Sequence, residues 1–198
     1  MFKAFRILIC SVFIFSCGTS FAAQQKTVSL PQPDKIGGKP LMEALNLRHS
    51  QRNISAKTLS AQELSNLLWA VWGANRSDGR RTAPTGRNSQ KVEVYAVLAD
   101  GVWLYDGVKN ELVQAMNSDE RSKYTPAGVT LLYAADIKDD FAGMHVGSLY
   151  QNAGLYCASA GLANVVKASG KDALKGKLPL PKNYEVLMIQ SIGYEAEK

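Results

Sequence analysis

At 198 residues the chain has room for one domain with a sizeable core. With 46% hydrophobic and 20% charged residues it has the make-up of an ordinary soluble globular domain. A formal net charge of +6 suits an anionic ligand. No run of like charges supports a nucleic-acid or membrane-surface partner.

The chain opens as a targeting segment. Lys3 and Arg6 give a positive start, and the apolar stretch 7–15 is too short for a mature membrane span. Ser20-Phe21-Ala22 offers small residues for cleavage before Ala23, so residues 1–22 read as a signal peptide and the protein as exported, to the periplasm. Ile14-Phe15-Ser16-Cys17 is the alternative, a lipoprotein signal that would place a lipid on Cys17. Cys10 and Cys17 both lie in this segment. Cys157 alone remains, which rules out an internal disulfide and leaves a thiol expected to be buried in a helix. No grouping of Cys, His and acids has metal-ligand spacing.

Residues 23–39 read as an extended arm or linker, and Val28 and Leu30 alternate as in a short edge strand. The domain proper then runs over 40–198. A first helix spans 40–48, its apolar face made by Leu41, Ala44, Leu45 and Leu47. Ser60 and Glu63 form a capping box for a second helix with a buried stripe of Leu64, Leu67, Leu68 and Val71, ending at Gly73. Residues 73–90 form a long irregular connection, a length that compact domains reserve for functional or mobile loops. Strands follow over 92–98 and 102–105 around an Asp100-Gly101 turn. A helix is expected over 110–116 and a buried strand over 129–135. The longest helix covers 143–168. Its repeated small residues imply a close approach by another backbone, in this subunit or a partner. A last apolar strand spans 184–192.

Three polar groups carry the chemistry. Arg48, Ser50 and Arg52 alternate, so an extended segment aims them to one side, where two guanidinium forks and a hydroxyl suit a phosphate; a solvated surface is the plainer reading. Pro84-Thr85-Gly86-Arg87-Asn88-Ser89-Gln90 offers amides with both donors and acceptors, and Gly86 permits close backbone approach. A self-capping turn would explain the same residues. Gln151 and Asn152 lie mid-helix, where amides cross-link a core or meet a ligand.

Taken in order, these pieces resemble the nitroreductase family of FMN flavoproteins, nearest the subgroup that includes thiazole/oxazole-forming oxidases. Arg48-His49-Ser50-Gln51-Arg52 is similar to the family's Arg-[Arg/His]-Ser-x-[Arg/Lys] signature, and the 84–90 segment to Pro-Ser-x-x-Asn-x-Gln. The stretches 59–64 and 67–70 resemble its second helix, Gly147-Ser148-Leu149-Tyr150-Gln151-Asn152 its central helix, and Ile192-Gly193-Tyr194 its closing motif. Here Glu195-Ala196-Glu197-Lys198 stands where many relatives are basic.

The resemblance implies an α+β fold: a mostly antiparallel central sheet flanked by helices, completed by a homodimer partner. It implies FMN at the interface, with Arg48 and Ser50 on the phosphate and Arg52 near the pyrimidine edge of the ring. Pro84, Thr85, Gly86 and Asn88 would come from the partner subunit, the backbone at Lys167 and Ala168 would face N5, and Gln151 would be structural. The implied activity is oxidoreduction from a small-molecule electron donor, usually NAD(P)H, to an acceptor such as a nitroaromatic or quinone. Export would separate the protein from cytoplasmic NAD(P)H and point to a quinol or redox partner instead. A non-catalytic protein on the same fold, binding flavin or another planar ligand, is the alternative.

Overall fold

The computed structural model describes residues 25–197, so the signal segment and Cys17 lie outside the described residues. Seven strands form one sheet: β1 (Thr27–Ser29), β2 (Val92–Leu98), β3 (Gly101–Asp106), β4 (Glu111–Met116), β5 (Val129–Asp136), β6 (Ala163–Lys167) and β7 (Tyr184–Gly193). Their spatial order is β1-β4-β3-β2-β5-β7-β6, with every pairing antiparallel. Three helices accompany it: α1 (Leu41–Leu47), α2 (Ala61–Trp72) and α3 (Ala142–Ala160). This is the α+β architecture that the resemblance implies.

The central strands are buried on both faces. β5 alternates its side chains between two cores, so that Leu131 and Tyr133 join α2 and α3 while Leu132 and Ala134 join Leu174 and Leu178 on the far side. α2 starts where the capping box predicts. The Ser60 hydroxyl accepts from the Glu63 backbone N–H, and the Glu63 carboxylate accepts from that of Ser60. Its stripe of Leu64, Leu67, Leu68 and Val71 is buried. Cys157 is buried in α3, and burial pushes its thiol pKa up, away from reactivity.

The edge strand expected around Val28 forms, and several other expectations are corrected. Residues 111–116 are a strand, because β3 and β1 flank this segment and supply the ladder bonds a helix would have made internally. The extended arm provides β1, and its Asp34 N–H binds the Asn66 side chain of α2. The longest helix stops at Ala160. Gly161 takes a left-handed φ of 73°, and the following five-residue run enters the sheet as β6. Gly73 ends α2 in an extended conformation; its small size is needed because a Cβ would collide with the Trp69 ring. The apolar residues of α1 do not form a core-facing stripe. Only Ala44 is buried, while Leu41 and Met42 are 64% and 74% exposed.

Candidate functional site

Residues 48–57 form a strap along the free edge of β6. Gln51 N–H bonds Asn164 O of β6 at 2.8 Å, Ser55 N–H bonds Tyr194 O at 2.9 Å, and Ala196 N–H returns to Asn53 O at 3.0 Å. Gly193 lets the strap pass. A Cβ there would lie 2.8 Å from Gly128 N, 3.0 Å from Ile54 Cγ2 and 3.1 Å from Ser55 O. Tyr194 then donates its hydroxyl to the Glu63 carboxylate at 2.7 Å, tying the strap's neighbour to the start of α2. Sequence reading missed that clamp, which joins residues 131 positions apart.

On this frame Arg48, Ser50 and Arg52 are all exposed. The Arg48 stem lies against Gly154 of α3, its Cδ 3.5 Å from where a Cβ would sit. Among the described residues no carboxylate lies within ion-pair distance of Arg48 or Arg52. Lys167 closes β6, three residues beyond Asn164 and so about 10 Å along the strand. Its ammonium donates to the Thr125 hydroxyl, and burial lowers its pKa. Ala168 follows it and is exposed. The strap meets the start of β6 and Lys167-Ala168 follows its end, so both lie along the same edge strand of the sheet.

The 81–90 loop sits elsewhere, over the N-terminal end of α3. Gly86 N–H donates to His145 Nε2 at 2.7 Å, and a Cβ on Gly86 would meet the Phe141 ring at 2.8 Å. Gly86 is therefore a glycine for packing within this chain. The side chains largely bond one another. Thr85 Oγ1 accepts from Gln90 N–H, Ser89 donates to Asp139, and Gln90 Nε2 donates to Asn88 Oδ1. Arg87, Asn88 and Gln90 all hold positive φ, between 50° and 55°. Three such residues in four positions carry strain that the surrounding bonds must maintain. Pro84 is exposed at the loop's tip.

Arg81 stacks 5.1 Å over Trp72, donates Nε to Gln90 Oε1 at 3.0 Å and donates Nη1 to Trp72 O at 3.3 Å. Burial pushes its pKa down, partly offset by the field of Asp106. Asn152 Nδ2 bonds Ala70 O and cross-links α3 to α2, whereas Gln151 faces outward and makes no such link in this chain.

In one copy, then, the two polar groups are apart. His145 beneath Gly86 and Gly154 beneath Arg48 are nine residues apart on α3, about 13 Å along its axis. The α3 face between them is open. Gly147, which lies between them, has no atom nearer to its Cβ position than Tyr150 Oη at 3.6 Å.

The sequence profile of the nitroreductase family matches residues 45–194, from the end of α1 through Tyr194. The chain belongs to the nitroreductase family. A crystal structure of a candidate nitroreductase from Ralstonia eutropha JMP134 superimposes with a TM-score of 0.79 at 34% identity, covering 87% of this chain and 90% of that one. A candidate nitroreductase of Methanocaldococcus jannaschii is 23% identical over 188 residues, 82% of this chain and 93% of the relative. A nitroreductase of Bacteroides fragilis NCTC 9343, crystallised with bound FMN, shares the fold at TM-score 0.56 and 19% identity, covering 80% of this chain and 89% of that one. The nitroreductase fold accounts for the order of the motifs along the chain. Among the described residues no helix is long and apolar enough to cross a membrane, and no cluster of His, Cys, Asp and Glu could hold a metal ion.

Proposed function

We propose that this chain is an exported FMN-dependent oxidoreductase that works as a homodimer and passes electrons to a small acceptor such as a nitroaromatic or quinone. The observation that carries the reading is the strap. It holds two guanidinium groups and a hydroxyl on a backbone fixed at both ends, with no carboxylate among the described residues within ion-pair distance of them. That donor set fits a phosphate: planar forks for its oxygens and a hydroxyl for a further lone pair. Family membership and the FMN bound in the Bacteroides fragilis relative support the choice of cofactor.

Arg48 and Ser50 would hold the phosphate. Arg52 would place positive charge at the ring's pyrimidine edge, and the backbone at Lys167 and Ala168 would line the side where electrons pass. The Pro84-Thr85-Gly86 turn and the Asn88 amide of a second copy would cover the ring. Two observations support that second copy: the 13 Å separation within one chain, and the exposed apolar residues of α1 beside the open face of α3. FMN, when bound, would supply two-electron chemistry at N5; the protein contributes position, charge and exclusion of water. NAD(P)H, a quinol or a redox partner would serve as donor. The signal-like residues 1–22 support export.

The visible absorption spectrum of the purified mature protein tests the reading. Flavin bands as isolated, or after incubation with FMN, are expected, with bleaching on addition of a donor. A protein that stays colourless after FMN is added overturns it. One that binds FMN but is reduced by no donor would be the non-catalytic flavin binder.

A further inference from the structure

The 73–90 connection carries more positive charge than holding a flavin ring requires. It holds four cations, Arg76, Arg80, Arg81 and Arg87, against one carboxylate, Asp78, in a chain whose whole formal charge is +6. Three of these cations, Arg76, Arg80 and Arg81, line a cleft of about 340 Å³ that continues onto Thr82, Thr85 and Asn88. The cleft therefore opens directly beside the turn proposed to cover the flavin.

A charged loop is usually a solvated surface, and Arg80, facing Asp78 at 3.5 Å with both side chains exposed, fits that description. Arg81 does not. Its guanidinium is half-buried and fixed by the Trp72 ring, Trp72 O and Gln90 Oε1. All its bonded acceptors are neutral. Arg76 reaches the same corner, donating Nη2 to Arg81 O and Nε to Asn75 Oδ1, again neutral acceptors. Among the described residues neither has a carboxylate within ion-pair distance. Asp106 acts on Arg81 only from beyond ion-pair distance, so this partly desolvated, immobilised guanidinium has no contacting anion and is a receptor for one.

We propose that Arg76, Arg80 and Arg81 form a subsite for an oxyanion, a carboxylate, sulfonate or phosphate, carried by the small molecule that exchanges electrons at this site. Arg81 is the fixed floor. Arg76 and Arg80 are the adjustable walls. The inference rests on the redox reading above and gives it a substrate class: anionic and planar, with the charged end held in the arginine cleft and the ring over the flavin.

The test compares the FMN-loaded mature protein with an Arg76→Ala/Arg80→Ala variant, which leaves the stacked Arg81 in place. Binding of 4-nitrobenzoate and of neutral 4-nitrobenzyl alcohol is followed by quenching of tryptophan fluorescence, since Trp72 lies under the cleft. The wild type is expected to prefer the anion about 10-fold at low salt. That preference should shrink as ionic strength rises and fall several-fold in the variant, which keeps only the Arg81 floor. Running NADPH against NADH in the same way assigns the oxyanion to donor or acceptor; discrimination in either pair supports the subsite. If neither pair is discriminated by the wild type, if the preference is undiminished in the variant, or if the variant loses flavin in place of discrimination, the subsite does not exist. Flavin content is read separately from the visible spectrum. A protein that never takes up FMN defeats the redox reading, while a yellow protein indifferent to charge defeats only the subsite.

Discussion

The strap at 48–57 and the loop at 81–90 are both polar, both irregular and both in the family's signature, yet they are built in opposite ways. The strap commits its backbone: Gln51 and Ser55 donate their N–H groups and Asn53 O accepts from Ala196 N–H, while among the described residues no carboxylate pairs with the guanidiniums of Arg48 and Arg52. The loop commits its side chains. Arg81, Thr85, Ser89 and Gln90 bond within it or to α3's approach, and the reward is a backbone held with three left-handed residues. Charge is what the strap offers a ligand, and shape is what the loop offers. Substitutions should therefore separate affinity from stability differently in the two places.

The largest effect is expected at Gly193, which fixes where the strap runs. A methyl group there meets the backbone of Gly128 and Ser55, which cannot swing aside. Gly193→Ala should cost about 3 kcal/mol, lowering the midpoint of thermal unfolding by roughly 10 °C. Next comes Arg48→Ala. Losing a charge-assisted contact to phosphate should weaken FMN binding by about 10-fold or more, measured by flavin fluorescence titration. The melting temperature should hardly move, because the side chain is exposed and only its stem packs on Gly154. A loss of stability comparable to that of Gly193→Ala would abolish the distinction between strap charge and strap frame.

Gly86→Ala probes the loop and should show the reverse coupling. The added methyl meets the Phe141 ring, itself 40% exposed and able to shift, so the cost in stability is about 1 kcal/mol. The shift also disturbs the Gly86 N–H bond to His145, so flavin affinity and stability should fall together. Calorimetry and flavin titration on the same sample check this. A variant that kept its melting temperature and lost only flavin would mean that the loop acts through its side chains after all.

The same contrast decides what could be read from the sequence. The capping box at Ser60 and Glu63 and the alternation of β2 are local patterns, each legible within a few residues. The 111–116 strand was not, because its hydrogen bonds come from β1, more than eighty residues earlier, and from β3. The strap's arginines announce themselves by type and spacing. The loop's shape depends on His145, 59 positions away, and no spacing rule couples a glycine to a histidine at that distance. Arg81 stacking on Trp72 had a weak local signal, an arginine and a tryptophan either side of a tight connection, that charge alone did not single out.

The smallest effect lies where the strap's neighbour meets α2. Burial raises the Glu63 pKa, but the hydrogen bonds from the Ser60 and Tyr194 hydroxyls and the Ser60 N–H outweigh it, so the carboxyl sits below its ordinary 4.5. A depressed folded value means that ionised Glu63 stabilises the fold fully above the ordinary value and that this contribution disappears as pH falls through the folded one. Acid thus loosens the cap and the Tyr194 clamp together. The carboxylate is largely solvated, so screening keeps the contribution below about 1 kcal/mol. Thermal melts at pH 7 and pH 3 should show the wild type losing slightly more stability on acidification than Glu63→Gln, whose amide does not titrate. Parallel losses would place the acid sensitivity of this end in some other carboxylate and leave the Tyr194 clamp, like the strap it borders, dependent on geometry alone.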